Sequence, residues 1–274
     1  LHSTSRRQRQ MCIRDSNSIL QGFAPISLDE MSRVRLMNRI DTKYVTTVPY
    51  LVRLLEMAGG EYSVQQIGGL CDIPYYTCYF DTPDRDMFAQ HQRGRKARQK
   101  IRLRVYENSG TAFLEIKDKD NRGRTDKKRI PWTGTGEDIM PYSDFIRTHS
   151  HYMPESLAPQ VRNRFRRITL VNRLLTERLT IDTGLCFSNV STRCGCSLEG
   201  LVIIELKRDG NTRSPAGEML HALHIHPAGF SKYCVGMALT DRQLQQNRLK
   251  PRLRMIRRLL YPACRTSTTT ILNR

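Results

Sequence analysis

Lysine and arginine recur at every second position in several short segments of this chain, with a few carboxylates among them. Lys100, Arg102 and Arg104 alternate with Ile101, Leu103 and Val105. Glu115 and Lys117 alternate with Leu114 and Ile116, and Glu205 and Lys207 with Ile204 and Leu206. Arg39, Asp41 and Lys43 share one parity, as do Arg178, Thr180 and Asp182. Arginine grips phosphate oxygens through two parallel N–H donors, and lysine adds a compact positive charge. A carboxylate in such company can hold Mg2+ or Mn2+, which bridges protein and phosphate. Phosphoryl transfer asks chiefly for positioning and charge neutralisation. These residue types at this spacing therefore point to phosphate chemistry.

A spacing of two is the signature of a strand, whose side chains alternate between two faces. When a sheet closes into a barrel, one of those faces lines the lumen. An ordinary antiparallel sheet with one wet face also alternates, and a single such strand would be read that way. A face that only needs solubility mixes Glu, Thr, Ser and Lys freely. Here guanidinium and ammonium groups dominate, and Asp41, Glu115, Asp182 and Glu205 are the minority.

The remaining elements frame those strands. Ser27 and Glu30 have the spacing of a capping box, which predicts a helix from there towards Asn38. Arg39 to Val45 follows as a strand, then a helix from Pro49 that Gly59-Gly60 ends. Strands are predicted at Tyr75 to Phe80, Lys100 to Tyr106, Thr111 to Lys117, Thr125 to Pro131, Arg164 to Asn172, Arg178 to Asp182 and Leu201 to Lys207. Asn108-Ser-Gly110 is a hairpin turn. Ala216 to Leu223 reads as a helix, Phe230 to Leu239 has no clear period, and Arg248 to Leu260 reads as a basic amphipathic helix. No Gly-rich phosphate loop sits between a strand and a helix, which disfavours a doubly wound sheet. The fold class expected is α+β, an antiparallel β-barrel with flanking helices.

Composition agrees. The chain has 274 residues with 45 Lys plus Arg against 26 Asp plus Glu, a net charge of +19, so its partner is anionic. Residues 1–16 show no strand or helix period and read as a leader foreign to the fold; 17–260 read as one domain and 261–274 as a polar tail. The excess of base belongs to the domain, since the leader holds only Arg6, Arg7, Arg9 and Arg14 against Asp15. No run of about 18 apolar residues is present to cross a membrane as a helix. The cysteines are irregularly spaced and only Cys194-Gly-Cys196 is close, so neither a zinc site nor a disulfide framework is expected. They are read as reduced and the location as cytoplasmic.

The same residues carry a family resemblance. Arg39-Ile-Asp-Thr-Lys-Tyr44, Tyr79-Phe-Asp-Thr-Pro83, Lys100-Ile-Arg-Leu-Arg-Val-Tyr106, Phe113-Leu-Glu-Ile-Lys117, Val202-Ile-Ile-Glu-Leu-Lys207 and Phe230-Ser-Lys-Tyr233 resemble the VTC domain. That domain is the polyphosphate polymerase of the vacuolar transporter chaperone complex and also occurs in bacterial proteins. It belongs to the triphosphate tunnel metalloenzymes, the CYTH-like superfamily. The resemblance runs over about residues 25–258 and implies an antiparallel tunnel barrel. It also implies transfer of the terminal phosphate of ATP to polyphosphate, with Mn2+ or Mg2+. Carried over by motif, Lys43, Arg102, Arg104, Lys117 and Lys232 would contact the reacting phosphates. Arg39, Lys100, Arg167, Lys207, Lys127 or Lys128, and Arg93 or Arg95 would hold the chain. Glu205 would ligate the metal, with Glu115 as a second candidate. Two departures stand out. Arg39-x-Asp41-x-Lys43 replaces the Glu-x-Glu-x-Lys of the wider superfamily, which suits the polymerase branch. Phe165-Arg-Arg167 stands where Tyr-x-Arg is usual, which removes a hydroxyl.

The rival readings are a triphosphatase on the same barrel, with water as acceptor, and a non-catalytic polyphosphate-binding module. Nucleic acid ranks last among partners, because only 7% of residues are aromatic and the basic strands carry few of them. A membrane-bound partner protein is a further candidate, through the basic helix near residue 250. His91, His221, His224 and His226 lack metal-ligand spacing and are read as surface or core residues.

Overall fold

The computed structural model describes residues 16, 18–32, 39–210 and 212–261. The expected leader and tail, and the expected continuation of the first helix to Asn38, lie mostly outside them. Among the described residues, eleven strands form one sheet. They are β1 (Ala24–Ile26), β2 (Arg39–Thr47), β3 (Tyr62–Gln65), β4 (Asp72–Asp81), β5 (Arg98–Tyr106), β6 (Ala112–Lys119), β7 (Thr125–Pro131), β8 (Ala158–Asn172), β9 (Glu177–Asn189), β10 (Gly195–Leu198) and β11 (Leu201–Asp209). The helices are α1 (Leu28–Ser32), α2 (Val48–Ala58), α3 (Asp86–Arg93), α4 (Ser143–His149), α5 (Pro215–Ala222), α6 (Lys232–Thr240) and α7 (Lys250–Leu260). The class is α+β.

The main path runs β2-β11-β9-β8-β4-β5-β6-β7, antiparallel throughout, with β3 and β10 added at β8 and β9. The short β1–β3 pair is parallel. The path curls so that β2 and β5, far apart along it, meet across the concave side. Lys43 Nζ on β2 donates to the Phe230 carbonyl at 3.3 Å, and Lys100 Nζ on β5 donates to Ser231 Oγ at 3.3 Å. The barrel expectation is thus realised as a curled half-barrel, and the start of α6 bridges its two sides.

The apolar parity packs outward under helices. Ile168, Leu170, Leu179, Ile181, Val202, Ile204 and Leu206 share a core with Leu51, Leu54 and Leu55 of α2 and Leu220 of α5. Ile101, Leu103, Leu114 and Ile116 share another with Ile139, Tyr142 and Ile146 around α4. With one face so buried, register cannot slip by one residue without turning a row of leucines to water. That lock holds the charged parity on the concave side. The Ser27–Glu30 capping box is present: Glu30 N donates to Ser27 Oγ at 3.2 Å and Ser27 N to Glu30 Oε2 at 2.8 Å. No helix of the described residues is long and apolar enough to cross a membrane.

Candidate functional site

Strand register places the charges in rows. Lys100 faces Lys117, which faces Lys127; Arg102 faces Glu115; Lys43 faces Glu205; Asp41 faces Lys207; Arg167 faces Asp182. Like charges directly opposite each other destabilise a sheet. The row Lys100–Lys117–Lys127 is therefore tolerated for something other than folding.

Carboxylates anchor some of these cations. Arg102 Nε and Nη2 donate to Glu115 Oε2 at 2.8 and 2.5 Å, while Lys127 Nζ reaches Glu115 Oε1 at 3.4 Å. Arg167 grips Asp182 with two parallel bonds of 2.6 and 2.8 Å, and Lys232 at the start of α6 donates to the same carboxylate. Glu205 lies 3.2 Å from Lys207 Nζ and 3.9 Å from Lys43 Nζ. Lys207 also pairs with Asp41 at 2.9 Å, and Arg39 with Asp41 at 2.8 Å.

Other cations have no such partner. Among the described residues, no carboxylate lies within ion-pair distance of Lys100, Arg104, Lys117 or Arg178. The Nε atoms of Arg104 and Arg178 are buried with no hydrogen-bond partner. A buried N–H on a charged group is costly to leave unsatisfied. Aromatic faces hold part of the cluster instead: Arg104 lies over Tyr75 at 5.6 Å, Arg167 over Tyr75 at 5.2 Å and Lys232 over Phe165 at 4.2 Å.

The ionisation equilibria record the surplus. Arg102, then burial, then Arg104 bring Lys117 down to about 6. Burial, aggravated by Lys43, Arg98 and Arg102, lowers Lys100 to about 8. Burial and Arg167 outweigh Asp182 and lower Lys232 to about 8. Burial also lowers Arg104, helped by Arg102 and Arg167. The carboxylates move the other way. Burial would raise Glu205, but Lys43, Lys207 and Arg167 hold it at about 2. Glu115 and Asp182 also lie well below the usual carboxylate range, their burial outweighed by Arg102 and by Arg167 with Lys232. An anion entering this lumen would meet a field that already disfavours protonated lysine.

The structure does not gather every residue expected from sequence. Lys43, Lys100, Arg102, Arg104, Glu115, Lys117, Arg167, Glu205, Lys207 and Lys232 share the concave side; Arg39 and Lys127 sit at exposed positions on edge strands of the path. Lys128 belongs to the opposite parity of β7, faces Ile116 and pairs with Asp126 at 3.3 Å. Arg93 and Arg95 are exposed, at the end of α3 and in the loop beyond it. The arginine that does approach from this region is Arg98, two residues before Lys100 on β5. Its parity was the signal that could have found it. His91, Arg248 and Arg252 also line a cavity beside Lys43 and Lys100. No periodicity could have placed them there, because their position depends on how α3 and α7 dock.

Among the described residues no three His, Cys, Asp or Glu side chains are grouped to hold a metal. Both Glu115 oxygens are taken by Arg102 and Lys127, which makes Glu115 an anchor for arginine. Glu205 is a lone carboxylate between lysines. That donor set suits a hard cation held mainly by substrate phosphates, with one carboxylate as its protein ligand.

With this geometry in view, the comparisons with known proteins are decisive on family. The VTC domain family model matches residues 38–241. The chain belongs to the VTC domain family. Solved structures similar to this VTC chain include a candidate adenylate cyclase from Bacillus halodurans, 16% identical, covering 71% of this chain and 96% of that one at a TM-score of 0.45. A candidate adenylyl cyclase from Hippeastrum with a dominant triphosphatase activity is 14% identical, covering 74% and 97% at 0.43. A Pyrococcus horikoshii protein is 12% identical, covering 73% and 98% at 0.41. No match was found among curated proteins. The VTC match ends before α7, so Arg248 and Arg252 lie outside the segment that defines the family.

Proposed function

We propose that this VTC-family chain is a metal-dependent phosphotransferase that passes the terminal phosphate of ATP to a polyphosphate chain in the basic lumen. The observation that carries this reading is the set of cations converging there without counter-ions, including two buried arginine N–H groups with no partner. Arg104, Lys117 and Lys100 would neutralise the non-bridging oxygens, on which charge is spread during transfer. Arg102 and Arg167 are fixed by Glu115 and Asp182, so their guanidinium groups are preorganised and need no reorganisation as charge shifts. Lys232 brings a further positive charge at the N-terminus of α6. Glu205 would hold Mn2+ or Mg2+ together with the phosphates, and such an ion supplies further charge neutralisation between donor and acceptor oxygens. Lys43 and Lys207 keep Glu205 ionised at any pH of interest, so it is ready as a ligand.

The test is incubation of the purified chain with ATP and Mn2+, following polymer by a polyphosphate stain and orthophosphate by colour. Polymer formation that a chelator abolishes supports the reading. Orthophosphate without polymer would make the chain a triphosphatase. Binding of polyphosphate with neither product would make it a binding module.

A further inference from the structure

A cavity of about 680 Å³ opens beside the lumen, and Lys43 and Lys100 belong to both. Its other basic lining residues are His91, Arg98, Arg248 and Arg252, and no carboxylate lines it among the described residues. The two arginines come from the start of α7 and the turn before it. Each lies over a glycine. A side chain at Gly94 would collide with the Arg248 guanidinium, its Cβ falling 1.6 Å from Nη1, and one at Gly229 would touch Arg252 Nη2 at 3.4 Å. Neither arginine forms an ion pair among the described residues. Arg98 is fixed by donating to the carbonyls of Arg95 at 2.8 Å and Lys96 at 3.4 Å.

We infer that Arg248 and Arg252, with Arg98, form an additional phosphate-binding subsite at this mouth of the lumen. It would take the part of a condensed phosphate chain that extends beyond the lumen past Lys43 and Lys100. The inference rests on the phosphate reading above and adds to it residues outside the family segment. Charge, continuity and emptiness of counter-ions all point the same way. An anion with linked, regularly spaced charges can touch lumen and cavity together, whereas a short one is satisfied in the lumen alone. The surroundings of His91 give an independent sign that these cations share one space. Burial and then Lys100, Arg98, Arg248 and Lys43 lower its pKa to about 4.

The experiment compares tripolyphosphate with linear polyphosphate of several tens of phosphates by titration calorimetry, in chelator, so that turnover does not intervene. In R248Q/R252Q, long-chain affinity should fall roughly 10-fold or more while tripolyphosphate affinity holds, since each lost bond joins charged partners. The salt dependence of long-chain binding should become shallower by about two units of log–log slope. Gly94→Ala keeps every charge but puts a methyl group where the Arg248 guanidinium lies, and should show the same selective loss. Arg254→Gln/Arg257→Gln removes two exposed charges from α7 away from the cavity and should change nothing. Long-chain polyphosphate should also raise the His91 titration seen by NMR, and less so in R248Q/R252Q. Equal loss for both ligands, no loss for the long chain, or the same loss in the Arg254/Arg257 pair would overturn the subsite. A wild-type chain that binds neither ligand would overturn the phosphate reading itself, a result distinguishable from the others.

Discussion

Lys117 faces Lys100 on one side and Lys127 on the other, with Arg102 and Arg104 in electrostatic reach. An ordinary lysine titrates near 10.5, and here that falls to about 6. The unfolded chain thus holds a proton that the folded chain does not between those values. Stability contributed by this group is lost as pH falls from about 10.5 to about 6, and the penalty is constant below that. A bound phosphate chain reverses the field, so binding between pH 6 and 8 should take up a proton at Lys117. Calorimetry in buffers of different ionisation enthalpy should show uptake for the wild type and a smaller uptake for Lys117→Met; equal uptake would refute the assignment. At Glu205 the expected result is a split. Glu205→Gln should bind tripolyphosphate in chelator at least as well as wild type, because Lys43 and Lys207 lose their carboxylate. Its metal-dependent turnover should drop by about 100-fold or more, the effect of losing a cation that stabilises developing charge. Parity made most lumen residues readable from sequence. The resemblance left Lys127 and Lys128 as alternatives; the strand register puts Lys127 on the parity of Lys117 and Lys128 on the other, since neighbouring residues of a strand face opposite ways. Arg93 and Arg95, suggested by the resemblance alone, lie outside any strand, where parity has nothing to say.

Among the elements, α6 does the most to complete the site and was the least legible. Tyr233, Cys234, Val235, Gly236, Met237 and Ala238 are all buried. A helix buried all round has no amphipathic stripe, so its period is invisible in the sequence. The short β3 and β10 were missed for a related reason: four residues each give too few alternations to count. Besides packing and the Lys232–Asp182 contact, a second carboxylate fixes α6. Asp81 accepts from the N–H groups of Met87 and Phe88 at the start of α3, at 2.9 and 3.0 Å, and from Tyr233 Oη at 2.5 Å. On the side of β9, a Cβ at Gly236 would lie 2.5 Å from the Phe187 ring. Gly236→Ala gains helix propensity of up to about 1 kcal/mol but overpacks a closed contact at a cost of about 1–3 kcal/mol. A net loss of about 1 kcal/mol in urea unfolding is expected, together with weaker phosphate binding as Lys232 shifts from Asp182. Unchanged stability would mean that the ring has room to move. Leu249, just before α7, and Ile256 and Leu260 of α7 are buried in the main core. The amphipathic pattern was therefore a packing face, while Arg254, Arg257 and Arg258 remain exposed.

At the scale of the whole molecule, the chain carries +19 and concentrates part of that charge on one concave face. Self-repulsion of this kind works against the compact state. The outward apolar face must outweigh it, and two buried clusters under α2, α5 and the α4 region do so. On the proposed function, the stability of this fold should rise when an anion fills the lumen. A ligand that binds only the folded chain stabilises it by about 2.7 kcal/mol at 100 times its Kd. For a domain of this size, each kcal/mol moves Tm by about 2–4 °C. Tripolyphosphate at that saturation should therefore raise Tm by about 5–10 °C. Sodium chloride at matched ionic strength should raise it less, since screening acts on the repulsion without supplying oxygens to the orphaned N–H groups of Arg104 and Arg178. Differential scanning calorimetry with tripolyphosphate, orthophosphate and sodium chloride at equal ionic strength separates the two effects. Identical shifts in all three would mean that the lumen answers to charge density alone. A larger shift with tripolyphosphate that R104K reduces would mean that the bidentate geometry of the guanidinium is being read, because lysine keeps the charge and loses the fork.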